Sequence, residues 1–462
     1  MKTYHICLEN IAAPKRDCEG KPVVLTDDTI QQRKEKIIAS MKQRGLDQLI
    51  VYGDSEHNGN FTYLVGYFPR FEEALLVIHQ DGTLKLVLGN ENLNKASKAR
   101  VEAEAVHVSL FSLPNQPNRK DKTFLELLKE AGIKKGQRVG IAGWKVFTSP
   151  IEENKKIFEV PSFVVDTIRE IVGSNELLTN ESDLFMGPGG VRATNNANEI
   201  AHYEYGAALA SDCMLDAMDL VEEGITEQEL GNALVRDGQH TNVVTIAASG
   251  PRFVNGNMFP TDNTVKIGNA MSLTVGYWGG SSSRAGYAIR SEKDLPEETK
   301  DYVDRVAAPY FASYVRWLEE VRIGIKGGEM FDLVEEILPR EKYHWWLCPG
   351  HLVAEEEWMS SPIYENSQER LKSGMIFQID IIPSVPGYAG VCAESTVVLA
   401  DEELKREMKE MYPHMWNRMQ KRCEYIKNVL GIHLSKDVLP MCSTVAYLRP
   451  FLLNKDCAFI SK

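Results

Sequence analysis

Short apolar runs bounded by turn residues fill the first third of the chain, and longer stretches of helical periodicity alternate with strands in the remainder. In residues 28–45 (DTIQQRKEKIIASMKQRG), Ile30, Ile37, Ile38 and Met41 recur at helical spacing ahead of Gly45, which predicts a helix and its stop. LDQLIVYGD, FTYLVGYF, EEALLVIHQDG and LKLVLG are short apolar segments between turn residues and predict strands. Residues 123–131 and 150–158 predict helices with the strand RVGIAG between them, and residues 184–198, dense in Gly, Asn and Ala, read as a linker.

From residue 199 to 222, Ile200, Tyr203, Ala207, Ala210, Met214 and Met218 form one apolar stripe along a long helix. Gly224 stops it, and Thr226 followed by Glu229 is the capping-box pattern of a second helix. Strands are predicted at VVTIAASG, AMSLTVGYWGG and RAGYAIR. A long helix is predicted over 296–321 with its proline in the first turn, and a shorter one over 330–337. HLVAEEEW, MIFQIDIIP and ESTVVLAD continue the strands, and 402–430 reads as helix. No internal repeat stands out by eye. Strands returning through hairpin-like turns, with helices on one face, predict an α+β half.

A chain of 462 residues exceeds the usual ceiling for one core, so two domains are expected, 1–190 and 191–462. The net charge of -13 argues against a partner with a phosphate backbone or an anionic membrane surface. Eight scattered cysteines without a C-x-x-C pair point to a reducing compartment. The N-terminal residues lack a signal-peptide apolar run and no segment is long and apolar enough to span a bilayer, so a cytoplasmic location is expected. No Walker spacing, G-x-G-x-x-G after a strand, or G-x-S-x-G elbow is present, which removes phosphate-loop and serine-elbow chemistry.

Several phrases, in order, resemble the creatinase and aminopeptidase P (methionine aminopeptidase-like) superfamily. RKEKIIASMKQRGLDQLIVYG with NFTYLVGYFPRFEEALLVI is similar to its N-terminal domain. NEIAHYEYGAALASDCMLDAMDLVEEGITEQEL, LKSGMIFQIDIIP and GVCAESTVVLAD are similar to the opening helices and closing strands of its catalytic half. The resemblance implies a pseudo-symmetric α+β pita-bread domain preceded by a smaller α/β domain of creatinase type. It also implies a homodimer, with no nucleic-acid or membrane partner.

Metal-dependent members hold two divalent ions with two aspartates, one histidine and two glutamates, because two cations a few Å apart need several carboxylates to neutralise them. At the matching positions this chain has Thr274, Ser281, His351, Asp380 and Glu394. Two carboxylates are thus replaced by hydroxyls and one is a methylene shorter. No cofactor is expected on that count, or else a single divalent metal held by His351, Asp380 and Glu394. The histidine that metal-free creatinase uses is matched by Asn257 and Met258, and the family's other histidine by Trp358.

His351, Asp380 and Glu394 are therefore the candidate catalytic residues. Two converging carboxyls without a metal split their titrations into an acid and a base. Arg284 reads either as a residue that orients the acids or clamps a substrate carboxylate, or as a surface arginine on a strand. Tyr277 and Trp278 read either as pocket walls or as core, Arg70 as a residue reaching a partner's site or as a loop arginine, and Asn257 as substrate-binding. The run Glu355 to Glu357 reads as a solvated face. The expected function is a metal-independent, creatinase-like hydrolase of a C–N bond in a small nitrogen-rich metabolite. The alternatives are an Xaa-Pro metallopeptidase of aminopeptidase P type with an altered metal site, acting on short peptides, and a non-catalytic pita-bread binding protein.

Overall fold

The computed structural model describes residues 4–116, 122–250 and 259–462. The chain forms two compact units, Leu25–Ala193 and a second made of Met1–Val24 with Thr194–Lys462. This differs from the expected division at the N-terminal end. Strand β1 (Ile6–Asn10) pairs antiparallel with β15 (Cys457–Ser461), so the opening residues belong with the C-terminal half.

The first unit carries a six-stranded sheet. Its strands are β2 (Gln48–Gly53), β3 (Ala74–His79), β4 (Leu84–Leu88), β5 (Glu104–His107), β6 (Val139–Ala142) and β7 (Leu178–Asn180), in the order β5-β4-β3-β2-β6-β7. Helix α1 (Asp27–Arg44) starts where the Thr26 side chain accepts from the Thr29 amide and stops at Gly45. Ile50, Leu75, Val77, Val139 and Ile141 form a core with α3 (Phe124–Glu130) and α4 (Ser162–Val172), to which Leu128, Val164, Val165 and Ile168 contribute.

Two expectations fail in this unit. FTYLVGYF forms helix α2 (Gly59–Val65) rather than a strand. All seven residues of α2 are buried, so no polar face marks its period, and a short apolar run suits either conformation. Residues 150–158 make a single turn at Asn154–Lys156 instead of a helix. Ser149 Oγ accepts from the amides of Ile151 and Glu152, and the Asn154 side chain bonds both backbone groups of Ser149. Local side-chain bonds there satisfy the backbone that a helix needs. The helix lies one segment later, at α4, and α5 (Ser182–Met186) begins the expected linker.

In the second unit, α6 (Ala197–Leu220) is capped by Asn196 and Glu199, and nineteen of its 24 residues are buried, so it is a central helix and not a one-striped surface helix. Helix α7 (Glu227–Leu234) has the capping box of Thr226 and Glu229. Strands β8 (Ile246–Ser249), β9 (Ala270–Tyr277) and β10 (Gly280–Tyr287) follow as an antiparallel meander.

The next segment repeats that order. Helices α8 (Ala308–Glu320) and α9 (Gly327–Ile337), then the short α10 (Arg340–Tyr343), lead to β11 (His351–Leu352), β12 (Ile376–Gln378) and β13 (Thr396–Leu399), again antiparallel, with β14 (Val438–Pro440) added at the edge. Gly224 and Gly324 occupy the same turn in each copy, at φ 91° and 88°, where a side chain would be strained. The repeat escapes inspection of the sequence because it lies mainly in backbone conformation, with few shared residues such as Val221, Gly224 and Ile225 against Val321, Gly324 and Ile325. The predicted helix 296–321 is broken by a π turn at Val303–Ala307 ahead of Pro309, which has no amide to donate. Residues 402–430 form two helices, α11 (Glu402–Met411) and α12 (Pro413–Asn428), split at Pro413.

Candidate functional site

Three short strands bring the candidate donors together. His351 opens β11 after Pro349-Gly350, whose carbonyls accept from Trp317 Nε1 at 2.8 Å and Ser361 Oγ at 2.7 Å. It stands opposite Gln378 on β12, and Gln378 stands opposite Thr396 on β13. Asp380 lies two residues beyond Gln378 and Glu394 two residues before Thr396, so both acids leave the paired strands on the side of that row. His351, Asp380 and Glu394 are all buried, with one ligand atom of each within 4.8 Å of the others.

The hydrogen bonding is lopsided. Glu394 Oε1 accepts from Ser281 Oγ at 2.7 Å and from Gln378 Nε2 at 3.0 Å, and Gln378 Nε2 also donates to the Ser281 carbonyl at 2.6 Å. His351 Nδ1 lies 3.3 Å from the Leu352 carbonyl, where a proton on Nδ1 would be held, and Nε2 faces Glu357 and Asp380. Among the described residues neither His351 Nε2 nor Asp380 Oδ1 has a close hydrogen-bond partner, although both are buried. Unpaired buried polar atoms cost free energy, and a cation between these two would offset that cost.

Electrostatics point the same way. Burial, followed by the Glu394 charge, holds the Asp380 carboxyl well above the ordinary carboxylate range, against the opposing pull of His351. Burial, followed by Glu357, raises Glu394 against His351 and the hydroxyls of Ser283 and Ser281. Burial pulls the His351 imidazole down, but Glu357, Asp380 and Glu394 outweigh it and the net shift is upward. A carboxyl raised on folding costs stability once the pH exceeds its unfolded value, whereas an imidazole raised on folding adds stability until the pH passes its folded value, so the two shifts offset each other in part.

The β9–β10 hairpin explains the two missing acids. Gly279, at φ 105°, turns it against α6, where a Cβ would fall 2.1 Å from the Tyr203 carbonyl oxygen. In the hairpin register Ser283 faces Thr274, and their hydroxyls lie 2.8 Å apart, while Ser281 reaches Glu394. The two positions are closed by neutral hydrogen bonds. The donor set fits one divalent cation on His351, Asp380 and Glu394 and does not fit two.

Arg284 is neither a substrate clamp nor a surface arginine. It is fully buried, and its guanidinium donates to the carbonyls of Ser283, Glu394, Thr444 and Tyr447 and to Ser395 Oγ. All five N–H groups are thereby spent, one within β10 and four on the segments before β13 and after β14. Tyr277 is core as well: its hydroxyl accepts from the Arg236 amide and donates to the Leu234 carbonyl, both at 3.0 Å, in the cluster of Leu230, Leu273 and Val275. Trp278 is half-buried at the hairpin turn, 6.3 Å from the His240 ring. Arg70 lies in the first unit with its guanidinium over the Phe71 ring at 4.6 Å. Asn257 lies outside the described residues, as does Met258.

Sequence reasoning missed Gln378 and Glu357. Gln378 sits in an apolar strand two residues before Asp380, and that spacing was its signal. Glu357 was hidden in an acidic run, yet its Oε1 lies 3.4 Å from His351 Nε2. Trp358, in the place of the family's second histidine, stacks on His351 with ring centroids 4.1 Å apart. A groove of about 520 Å³ between α6 and α12 lies elsewhere, and its buried Glu204 is already paired with Arg418 and Arg422.

Comparison with known proteins agrees with this architecture. Residues 33–170 match the Creatinase/Prolidase N-terminal domain family. The Xaa-Pro dipeptidase of Lactobacillus helveticus is 23% identical over 244 residues, which are 50% of this chain and 63% of that protein, so the match spans less than two thirds of the relative's length. Among solved structures, the Xaa-Pro dipeptidase from Bacillus anthracis has a TM-score of 0.60 at 16% identity, covering 81% of this chain and 96% of that one. The prolidase from Pyrococcus horikoshii has a TM-score of 0.61 at 18% identity, covering 80% and 95%. At these identities the likeness to the solved structures is one of fold.

Proposed function

We propose that this chain, whose residues 33–170 match the Creatinase/Prolidase N-terminal domain family and whose fold is that of solved dipeptidases, is a member of the creatinase and aminopeptidase P superfamily and a peptidase-type hydrolase of Xaa-Pro dipeptides. The observation that carries the proposal is the pair of buried, unpartnered atoms His351 Nε2 and Asp380 Oδ1 beside Glu394. Together with the names of the relatives it favours the metallopeptidase alternative over the metal-independent reading.

His351, Asp380 and Glu394 would hold one divalent cation. Such a cation supplies Lewis-acid polarisation of a carbonyl and lowers the pKa of water. The chain's own groups do the rest. A proton held on Nδ1 by the Leu352 carbonyl would aim the Nε2 lone pair into the site. Ser281 and Gln378 hold Glu394 Oε1 in place and so fix the direction in which the carboxyl group meets the site. Trp358 covers one face of the imidazole and keeps water from it. The proposal keeps the homodimer that the family resemblance implies, for which light scattering must return twice the chain mass.

The test is metal analysis of protein purified without chelator, combined with hydrolysis of alanyl-proline before and after dialysis against a chelator. One ion per chain and turnover lost on chelation are expected, with Glu394→Gln lowering turnover by about 10²-fold or more. Turnover indifferent to chelation would restore the metal-independent reading. Binding of the dipeptide without turnover would support the non-catalytic one.

A further inference from the structure

We infer that Glu357 is the fourth protein donor to the cation of this site, supplying from the loop after β11 a carboxylate that the β9–β10 hairpin no longer provides. The inference rests on the single-cation reading above and concerns a residue that the family pattern does not include.

Chain path comes first. Leu352 pairs with Ser360 through its amide at 2.7 Å, and the Met359 amide returns to the Leu352 carbonyl at 3.0 Å, so residues 353–358 double back over His351. The loop is pinned along its length. The Gly279 amide donates to the Ala354 carbonyl at 2.7 Å, Asn242 Nδ2 to the Glu355 carbonyl at 3.2 Å, and Tyr203 Oη to the Glu355 carboxylate at 2.8 Å. Trp358 then stacks on the imidazole with an interplanar angle of 22°. Fixed on both sides, Glu357 has little freedom to swing outward, and its side chain is only 23% exposed.

Donor chemistry comes second. Glu357 Oε1 lies 3.4 Å and Asp380 Oδ2 4.0 Å from His351 Nε2, so the loop after β11 and the chain after β12 each bring a carboxyl group to the same ring nitrogen. Oxygen and nitrogen donors that converge from three side chains in one buried place are the arrangement a cation needs. With a cation bound, three carboxylates and an imidazole match the hard-donor preference of one divalent ion.

The test is isothermal titration of the metal-free full chain with Co²⁺, following the cobalt absorption bands in parallel. The wild type takes up one ion. Glu357→Gln binds at least about tenfold more weakly and shifts the cobalt spectrum, while Glu356→Gln, its neighbour in the acidic run, binds within about twofold of wild type. Circular dichroism and thermal melting of metal-free Glu357→Gln check that the variant is folded at the titration temperature, so that weak binding cannot be charged to misfolding. Equal affinity and an unchanged spectrum in Glu357→Gln overturn the inference and leave the single-cation reading standing. Equal losses in the Glu356 and Glu357 variants overturn it as well, since they reveal a general charge effect. A wild type that binds no cobalt removes both.

Discussion

The two halves of the C-terminal unit share an order of elements and differ in chemistry. The first runs α6, a turn at Gly224, α7 and the β8–β9–β10 meander, and the second runs α8, a turn at Gly324, α9 and the β11–β12–β13 meander. In the second, His351, Asp380 and Glu394 converge with unsatisfied atoms among them. In the first, Thr274 bonds to Ser283 and Ser281 bonds to Glu394, so every hydroxyl at the corresponding positions is satisfied by protein. The fold therefore does not depend on a full set of metal ligands. What it does require is close packing of hairpin on helix, seen where a Cβ on Gly206 would sit 2.0 Å from the Trp278 carbonyl oxygen, and the arginine bracket that joins the two halves.

That contrast can be broken in three places. The largest effect is expected at Arg284. Replacing it by Met leaves four carbonyls and a hydroxyl without their donor, so a loss of about 3–5 kcal/mol in urea denaturation is expected. A variant of normal stability whose only defect is a raised KM would return Arg284 to the substrate. Next is the double substitution Thr274→Asp with Ser281→Asp. It puts new carboxylates against Glu394, so the metal-free protein should lose about 1–3 kcal/mol, and Mn²⁺ titration should rise from one ion per chain toward two. A stoichiometry that stays at one would mean the halves differ by more than these two side chains. The smallest effect is expected for Ser281→Ala, which removes one hydrogen bond to Glu394 and should cost about 1 kcal/mol. No change in stability there would show that Gln378 alone holds the carboxylate.

Much of the fold was legible in the sequence, and the reasons are local. The stop of α1 at Gly45 and the capping box of α7 depend on neighbours within a few residues. The segment FTYLVGYF was misread because burial on every side erases the polar face that distinguishes helix from strand. Residues 150–158 were misread because Ser149 and Asn154 compete for the backbone. At the site, His351, Asp380 and Glu394 were recognisable from spacing, whereas Glu357 was not, since an acid in a charged run looks the same whether it faces solvent or a histidine. Arg284 and Tyr277 kept two readings each, and the partners that decide between them lie 110 to 163 and 41 to 43 residues away.

The sequence by itself determined most of the elements and the fold class, because periodicity and caps are written in short stretches of chain. Tertiary structure alone decided that Arg284 is a bracket, that Tyr277 is core, that residues 1–24 belong with the C-terminal half, and that Glu357 turns back onto His351. The physical reason is that a charged or aromatic side chain takes its role from the groups that meet it when it is buried, and those groups come from strands and loops distant along the chain.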